Sequence, residues 1–256
     1  MKPALRLLLC LLLSAIALGL YGEEDYASFL RQVDEKMNFL SGDFAAQYDI
    51  KQDKPGEGSS LTTAALFRRD RKAQFLVLIL EPEEDKGKGY LVVDGGIWFY
   101  DPKDRRYTFK DAKEAFRGTN ARNSDFALSN LAGQYKVTGE SSEKLGIYPC
   151  TRLELEATTT DASFPKRSIW VSEDKLLRMS RDYGQSGQLF RTVAYQYQVF
   201  QGKSVPSKVV ILDELKTKII QGATKKETTT LTISKPSFQD LPSTMFTKDY
   251  LERMSK

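Results

Sequence analysis

The residue types that could do chemistry in this chain are defined first by one that is missing: among its 256 residues there is no histidine. Ser-His-Asp and Cys-His nucleophile systems are therefore excluded, as are His-ligated zinc and iron sites. Cys10 and Cys150 are the two thiols, and Cys10 sits inside an apolar N-terminal run. With that run removed, no disulfide can form within the chain, and Cys150 is expected as a buried strand residue. Glu81, Glu83, Glu84 and Asp85 gather carboxylates, but Pro82 and the following Lys86-Gly87-Lys88-Gly89 make a solvated hairpin loop the better reading than an acid/base pair. Gly184-Gln185-Ser186-Gly187 falls short of a nucleophile elbow and lies between two β-like runs, as a hairpin turn would. Neither common phosphate-binding glycine loop is present. No cofactor and no catalysis are expected.

What remains is apolar recognition. The stretch from Gly95 to Gly133 holds an aromatic strand, an Asp-Pro turn, a basic strand and a short apolar segment introduced by Ser124-Asp125. A sheet that is apolar on its inner face needs a cover. A flap helix over residues 123–131 is expected to provide it through Phe126, Leu128 and Leu131, with Ser124 or Asp125 capping its start.

The elements that must position this cover follow from periodicity. Tyr26, Phe29, Leu30, Val33, Met37 and Leu40 fall at helical spacing, which predicts an amphipathic helix over 25–40, stopped near Gly42. Beyond it the period changes to two. Strands are expected at 43–52, 61–71, 73–80, 90–93, 97–100 and 106–109. After the flap they are expected at 135–140, 148–157, 166–171, 176–182, 189–200, 208–214, 217–221 and 227–234. Short Gly, Pro, Asp or Lys turns join them, which means an antiparallel meander in one domain. The predicted class is mainly β (α+β): a half-open antiparallel β-barrel of about eleven strands, too many to be filled by their own side chains. The N-terminal helix and the flap helix would cover an apolar cavity. Its candidate lining is Phe75, Val77, Ile79, Trp98, Tyr100, Phe126, Leu128, Leu131, Trp170, Leu177, Tyr195 and Tyr197. In runs such as 75–80 and 97–100 both faces are apolar, so the inward set stays open.

The first residues read as an export leader. Lys2 and Arg6 precede an apolar run and small residues, and Glu23-Glu24-Asp25 ends it before the ~20 residues of a spanning helix are reached. Residues 1–22 are expected to be cleaved and 23–256 to form the working domain. Without Lys2 and Arg6 the charge is nearly balanced, which disfavours nucleic acid as a partner. Arg68-Arg69-Asp70-Arg71-Lys72 and Lys103-Asp104-Arg105-Arg106 are expected to be solvated strand edges.

The order of these motifs resembles the LolA/LolB-like family of periplasmic lipoprotein carriers, in its outer membrane lipoprotein-sorting branch. The resemblance rests on Trp98-Phe99-Tyr100-Asp101-Pro102 followed by Ser124-Asp125-Phe126, on Ser168-Ile169-Trp170-Val171 with Lys175-Leu176-Leu177-Arg178-Met179, and on Val205-Pro206-Ser207-Lys208. It extends to the closing Leu241-Pro242-Ser243-Thr244-Met245-Phe246-Thr247 and Tyr250-Leu251-Glu252. It implies a monomeric periplasmic carrier that hides lipoprotein acyl chains or lipid, taking cargo from an inner-membrane transporter and passing it to an outer-membrane acceptor. It also implies a polar contact between barrel and flap in the closed state, with Arg105, Arg106 and Arg122 as candidates. Two other readings stay open: a lipid-sensing regulatory domain of the same fold, and a structural envelope protein with a filled core.

Overall fold

The computed structural model describes residues 23–255. The leader, its cleavage site and Cys10 lie outside the described residues. Helix α1 (Glu23–Met37) opens the described chain. It is shorter at its C-terminal end than its apolar spacing predicts, because a side chain takes over the backbone: the Phe39 N–H donates to Asp70 at 2.8 Å. Phe39 then turns inward to stack on Phe44, ring centroids 4.3 Å apart.

Thirteen strands follow, where the sequence reading gave about eleven. Six precede the flap region: β1 (Phe44–Lys54), β2 (Gly58–Arg69), β3 (Gln74–Glu81), β4 (Gly89–Val93), β5 (Gly96–Asp101) and β6 (Arg106–Lys110). Seven come after it: β7 (Tyr135–Leu145), β8 (Tyr148–Ala157), β9 (Lys166–Ser172), β10 (Leu177–Tyr183), β11 (Leu189–Phe200), β12 (Lys203–Ile220) and β13 (Ala223–Ser237). The runs at 208–214 and 217–221 are a single strand, β12, whose register against β13 slips between Leu212 and Thr217. Such a bulge kinks a strand without ending it.

All thirteen strands belong to one antiparallel sheet in the order β6-β5-β4-β3-β2-β1-β13-β12-β11-β10-β9-β8-β7. Every neighbour is a sequence neighbour except at the middle, where β1 pairs with β13. The sheet is open, and its two edges are β6 and β7, which are consecutive in the chain. The connection between them, residues 111–134, must therefore run from one edge of the curled sheet to the other. Phe116, Ala121 and Phe126 of this connection are buried among the inward residues of β1 to β4, which puts it across the concave face.

Strand alternation divides the side chains between two faces. On the concave face one core gathers Tyr48, Leu66, Phe75, Val77, Ile79, Tyr90, Val193, Ile211 and Ile233. A second, under α1, gathers Leu30, Val33, Leu131, Leu153, Ile169, Val171 and Leu177. The convex face of β3 to β5 is also buried, because the C-terminal segment folds back over it. A turn at Ser243–Phe246 and helix α3 (Lys248–Met254) bring Met245, Phe246 and Leu251 against Leu76, Leu78, Leu91 and Tyr100. Asp43 fixes this return by accepting the Leu241 N–H at 2.8 Å and pairing with the buried Arg69. Burial would raise the Asp43 carboxyl, but the hydrogen bonds from Arg69 and Leu241 outweigh it and hold the group below the ordinary carboxylate range.

The basic cluster at 68–72 is thus a solvated edge only at Arg71 and Lys72, which are exposed, and not at Arg68, Arg69 and Asp70. Arg68 pairs with Asp70 at 2.7 Å and Arg69 with Asp43 at 2.9 Å, all four side chains nearly or fully buried. Arg105 and Arg106, by contrast, are exposed in the β5–β6 turn. Cys150 is buried on β8, its thiol pushed up by that burial.

Candidate cavity and its cover

The cover is not the single helix expected over 123–131. A short 3-10 turn, Asn123–Phe126, is followed by extended residues and then by helix α2 (Leu131–Gln134). Local competition explains the break. Asn130 caps α2 by accepting from the Gly133 N–H at 3.2 Å. Asp34 of α1 accepts three bonds from the same stretch: Ser129 Oγ at 2.7 Å, Leu131 N–H at 2.8 Å and Ala132 N–H at 3.0 Å. Asn38 adds two more, donating to the Ser129 carbonyl at 2.8 Å and accepting the Ser129 N–H at 2.9 Å. The backbone of 129–132 is therefore satisfied by α1, and α1 and the second half of the cover are bolted into one unit.

Its first half is held to the sheet by charge. Arg167 on β9, Asp182 on β10 and Arg191 on β11 stand directly opposite one another in register. Asp182 is fully buried and accepts from Arg167 Nε at 2.7 Å and from Arg191 Nε at 2.6 Å. The other edge of the Arg191 guanidinium donates two parallel bonds, at 2.7 and 2.8 Å, to Asp125 in the cover. Burial would raise the Asp125 carboxyl, but the Arg191 charge and its hydrogen bonds hold it below the ordinary carboxylate range. Asp125 also accepts the Arg122 N–H at 2.7 Å, closing the 3-10 turn. Arg191 is thus the sheet residue that pairs with Asp125 of the cover. Of the sequence candidates, Arg122 makes a second polar contact from the cover's side, stacked on Phe164 and donating to the Ser163 carbonyl at 2.7 Å, while Arg105 and Arg106 are exposed.

Between cover and sheet lies a cavity of about 620 Å³, within the ~300–1,000 Å³ of ordinary ligand pockets. It falls where the two concave cores meet. Five of the twelve predicted lining residues reach it: Leu128, Leu131, Leu177, Tyr195 and Tyr197. Phe75, Val77, Ile79 and Phe126 share its face but are spent in packing; Phe126 sits 4.5 Å from Phe116 and 6.1 Å from Tyr48, centroid to centroid.

Trp98, Tyr100 and Trp170 are corrections, for all three lie on the convex face. The pairings Leu76↔Leu91 and Leu91↔Trp98 put Trp98 in the row away from the cavity, while Val77↔Tyr90 and Tyr90↔Phe99 form the inner row. Lys248 of α3 covers the Trp98 ring, and Tyr100 packs with Met245 and Phe246. Trp170 alternates with the inward Ile169 and Val171, and is buried outside by Arg152 and Arg181 while its Nε1 donates to Glu143 at 2.7 Å.

Residues that the sequence reading did not single out complete the wall: Tyr48, Val193, Val209, Ile211, Leu231 and Ile233. Period two in β11 to β13 carried that signal, and in β11 it also carried a sharper one. Arg191 stands in phase with Val193 and Tyr195, a charge where the pattern calls for an apolar residue. Burial pushes the Tyr195 and Tyr48 hydroxyls up to about 12, so both are neutral and present an apolar body with a polar tip. The mouth carries Lys110, Asp111, Lys113 and Asp161. The arrangement can enclose an apolar chain and hold a lid over it.

A wide, curled, open antiparallel sheet with a helix-bearing cover over a hollow whose far wall is apolar is the LolA-like fold, and solved structures agree. A LolA superfamily protein from Nitrosomonas europaea is 24% identical, matches 87% of this chain and 97% of its own, and superimposes with a TM-score of 0.73. A putative outer membrane lipoprotein-sorting protein domain from Vibrio parahaemolyticus gives 17% identity, 91% and 100% coverage, and a TM-score of 0.77. A DUF1329 family protein from Desulfovibrio piger gives 15% identity, 90% and 98% coverage, and a TM-score of 0.76. No curated protein sequence matches this one. A family model described as "-like: Uncharacterized protein" matches residues 71–253, and the chain belongs to that family.

Proposed function

We propose that this protein is a periplasmic carrier that binds the acyl chains of a lipoprotein or lipid in the cavity beneath residues 111–134 and shuttles them between membranes. The single observation that carries this reading is an acyl-scale cavity with an apolar wall along β11 to β13, closed by a cover that combines buried apolar side chains with polar bonds to α1 and to the sheet. The polar bonds can exchange with water when the lid lifts, and the apolar contacts of Phe116, Phe126 and Leu131 can be exchanged for contacts with an acyl chain. Burying one CH₂ is worth ~0.8 kcal/mol, so each long acyl chain left in water costs on the order of 10 kcal/mol. A shuttle must supply most of that and still let go, which favours a hollow with partial complementarity. The names of the two similar solved proteins, a LolA superfamily protein and an outer membrane lipoprotein-sorting domain, support the same reading. In this scheme residues 1–22 are the cleaved leader, the carrier acts as a monomer without catalysis, an inner-membrane transporter loads it and an outer-membrane acceptor unloads it.

The test is extraction of the natively purified protein with organic solvent and mass spectrometry of the extract, followed by transfer of labelled lipoprotein between donor and acceptor membranes. Bound acyl species and protein-dependent transfer are expected. A protein that emerges free of lipid and shows no saturable uptake of an apolar fluorophore would end the proposal.

A further inference from the structure

The charge row beneath the cover has one guanidinium too many for its own strands. Arg167, Asp182 and Arg191 are aligned on β9, β10 and β11, and Asp182 answers both arginines. The outer edge of the Arg191 guanidinium is answered by Asp125 of the cover, and Arg122, also on the cover and stacked on the same Phe164 ring, adds a further positive charge beside it. Arg191 is 6% exposed, and both it and Arg167 border the cavity. When the cover lifts, Asp125 leaves with it, and two guanidiniums in the cavity wall share the single carboxylate of Asp182, with the outer edge of Arg191 left without a partner. That state is strongly unfavourable unless an anion takes the vacated position.

Arg191 is also placed to orient such an anion. It lies on the same face of β11 as Val193 and Tyr195, two and four residues on, and all three border the cavity. A head bound at Arg191 would direct its chain along the apolar part of the wall. The guanidinium fork that now takes both oxygens of Asp125 fits a carboxylate or a phosphate equally well.

Building on the carrier reading, we infer that the cavity selects acyl amphiphiles with an anionic head, a carboxylate or a phosphate monoester, which replaces Asp125 on Arg191 as the cover opens. The cargo would thus complete the ion pair that its own entry breaks, and a neutral amphiphile of the same chain length would leave the edge of Arg191 that now faces Asp125 without an anion.

The experiment compares parinaric acid, a fluorescent polyene fatty acid, with its methyl ester at pH 8, where the acid is ionised. The acid is expected to bind the wild-type protein roughly tenfold or more tightly than the ester, the factor that one charge-assisted hydrogen bond is worth. Arg191→Gln should abolish the preference. Asp125→Asn, which removes the competing carboxylate and leaves Arg191 in place, should strengthen binding of the acid more than of the ester. Should Arg191→Gln fail to fold, the wild-type comparison and Asp125→Asn decide the matter. Displacement of the bound acid by oleate and by oleoyl lysophosphatidate, with monooleoylglycerol as the neutral control, tells which anion is preferred. Equal affinity for acid and ester, or displacement by monooleoylglycerol as effective as by either anion, overturns the anion inference and leaves the carrier reading standing. Binding of neither probe overturns both.

Discussion

Replacing Asp34 by alanine should release the cover without unfolding the sheet. The carboxylate accepts from Ser129 Oγ and from the Leu131 and Ala132 N–H groups at 2.7 to 3.0 Å. Hydrogen bonds to a charged group contribute about 1.5–3 kcal/mol each, but the groups freed here lie at a surface that water can reach once the cover lifts. A net loss of about 2–3 kcal/mol follows, equivalent to a rise of roughly 30- to 150-fold in the population with the cover released. Because α1 and 129–134 share these bonds while β1 to β13 do not, the loss is local. Native-state hydrogen exchange reads it directly: amides of 127–134 should lose one to two orders of magnitude of protection, whereas the central strands β1, β13 and β12 keep theirs. Uptake of an apolar fluorophore should become faster. Uniform loss of protection across the sheet would show that this segment is part of the global core, and unchanged protection at 127–134 would show that Asp34 does not hold it; either result refutes the lid argument.

Phe126→Ala should cost about 3–5 kcal/mol, since that ring is buried between Phe116 and Tyr48, whereas Leu128→Ala, half-buried at the cavity, should change fluorophore affinity with little shift in Tm. Trp170→Ala and Trp98→Ala, on the convex face, should lower Tm and leave fluorophore affinity per folded molecule unchanged; a loss of affinity would contradict the face assignment. Acid should loosen the cover: the Asp125 carboxyl is depressed below its ordinary 3.8, so its contribution is complete above that value and disappears as pH falls through the lower folded-state pKa. Exchange at 122–126 should rise over that acidic range, and Asp125→Asn should remove the dependence there. Intact-mass measurement of the exported protein should show a chain beginning between about Ala17 and Gly22; a product retaining Met1 would defeat the leader assignment.

Composition and periodicity by themselves set much of this protein. The lack of histidine removed whole classes of chemistry, the helical spacing of Tyr26 to Met37 produced α1, and period two broken by short turns produced an antiparallel meander. These are local properties, carried by residues a few positions apart. The facing of β3 to β5 was a different matter. Phe75 to Leu80 is apolar at every position because both of its faces are buried, one under the cover and one under the C-terminal segment 241–251. Only the return of that distant segment tells the outer row, with Tyr100 and Trp98, from the inner. The break in the cover likewise depended on Asp34, a residue nearly a hundred positions earlier, which satisfies backbone groups that a continuous helix would have satisfied internally. Arg191 was visible as a charge out of pattern, yet its meaning required Asp182 across the neighbouring strand and Asp125 across the cavity. A buried charge is tolerated only with its partners in place, and the tertiary structure alone brings those partners together.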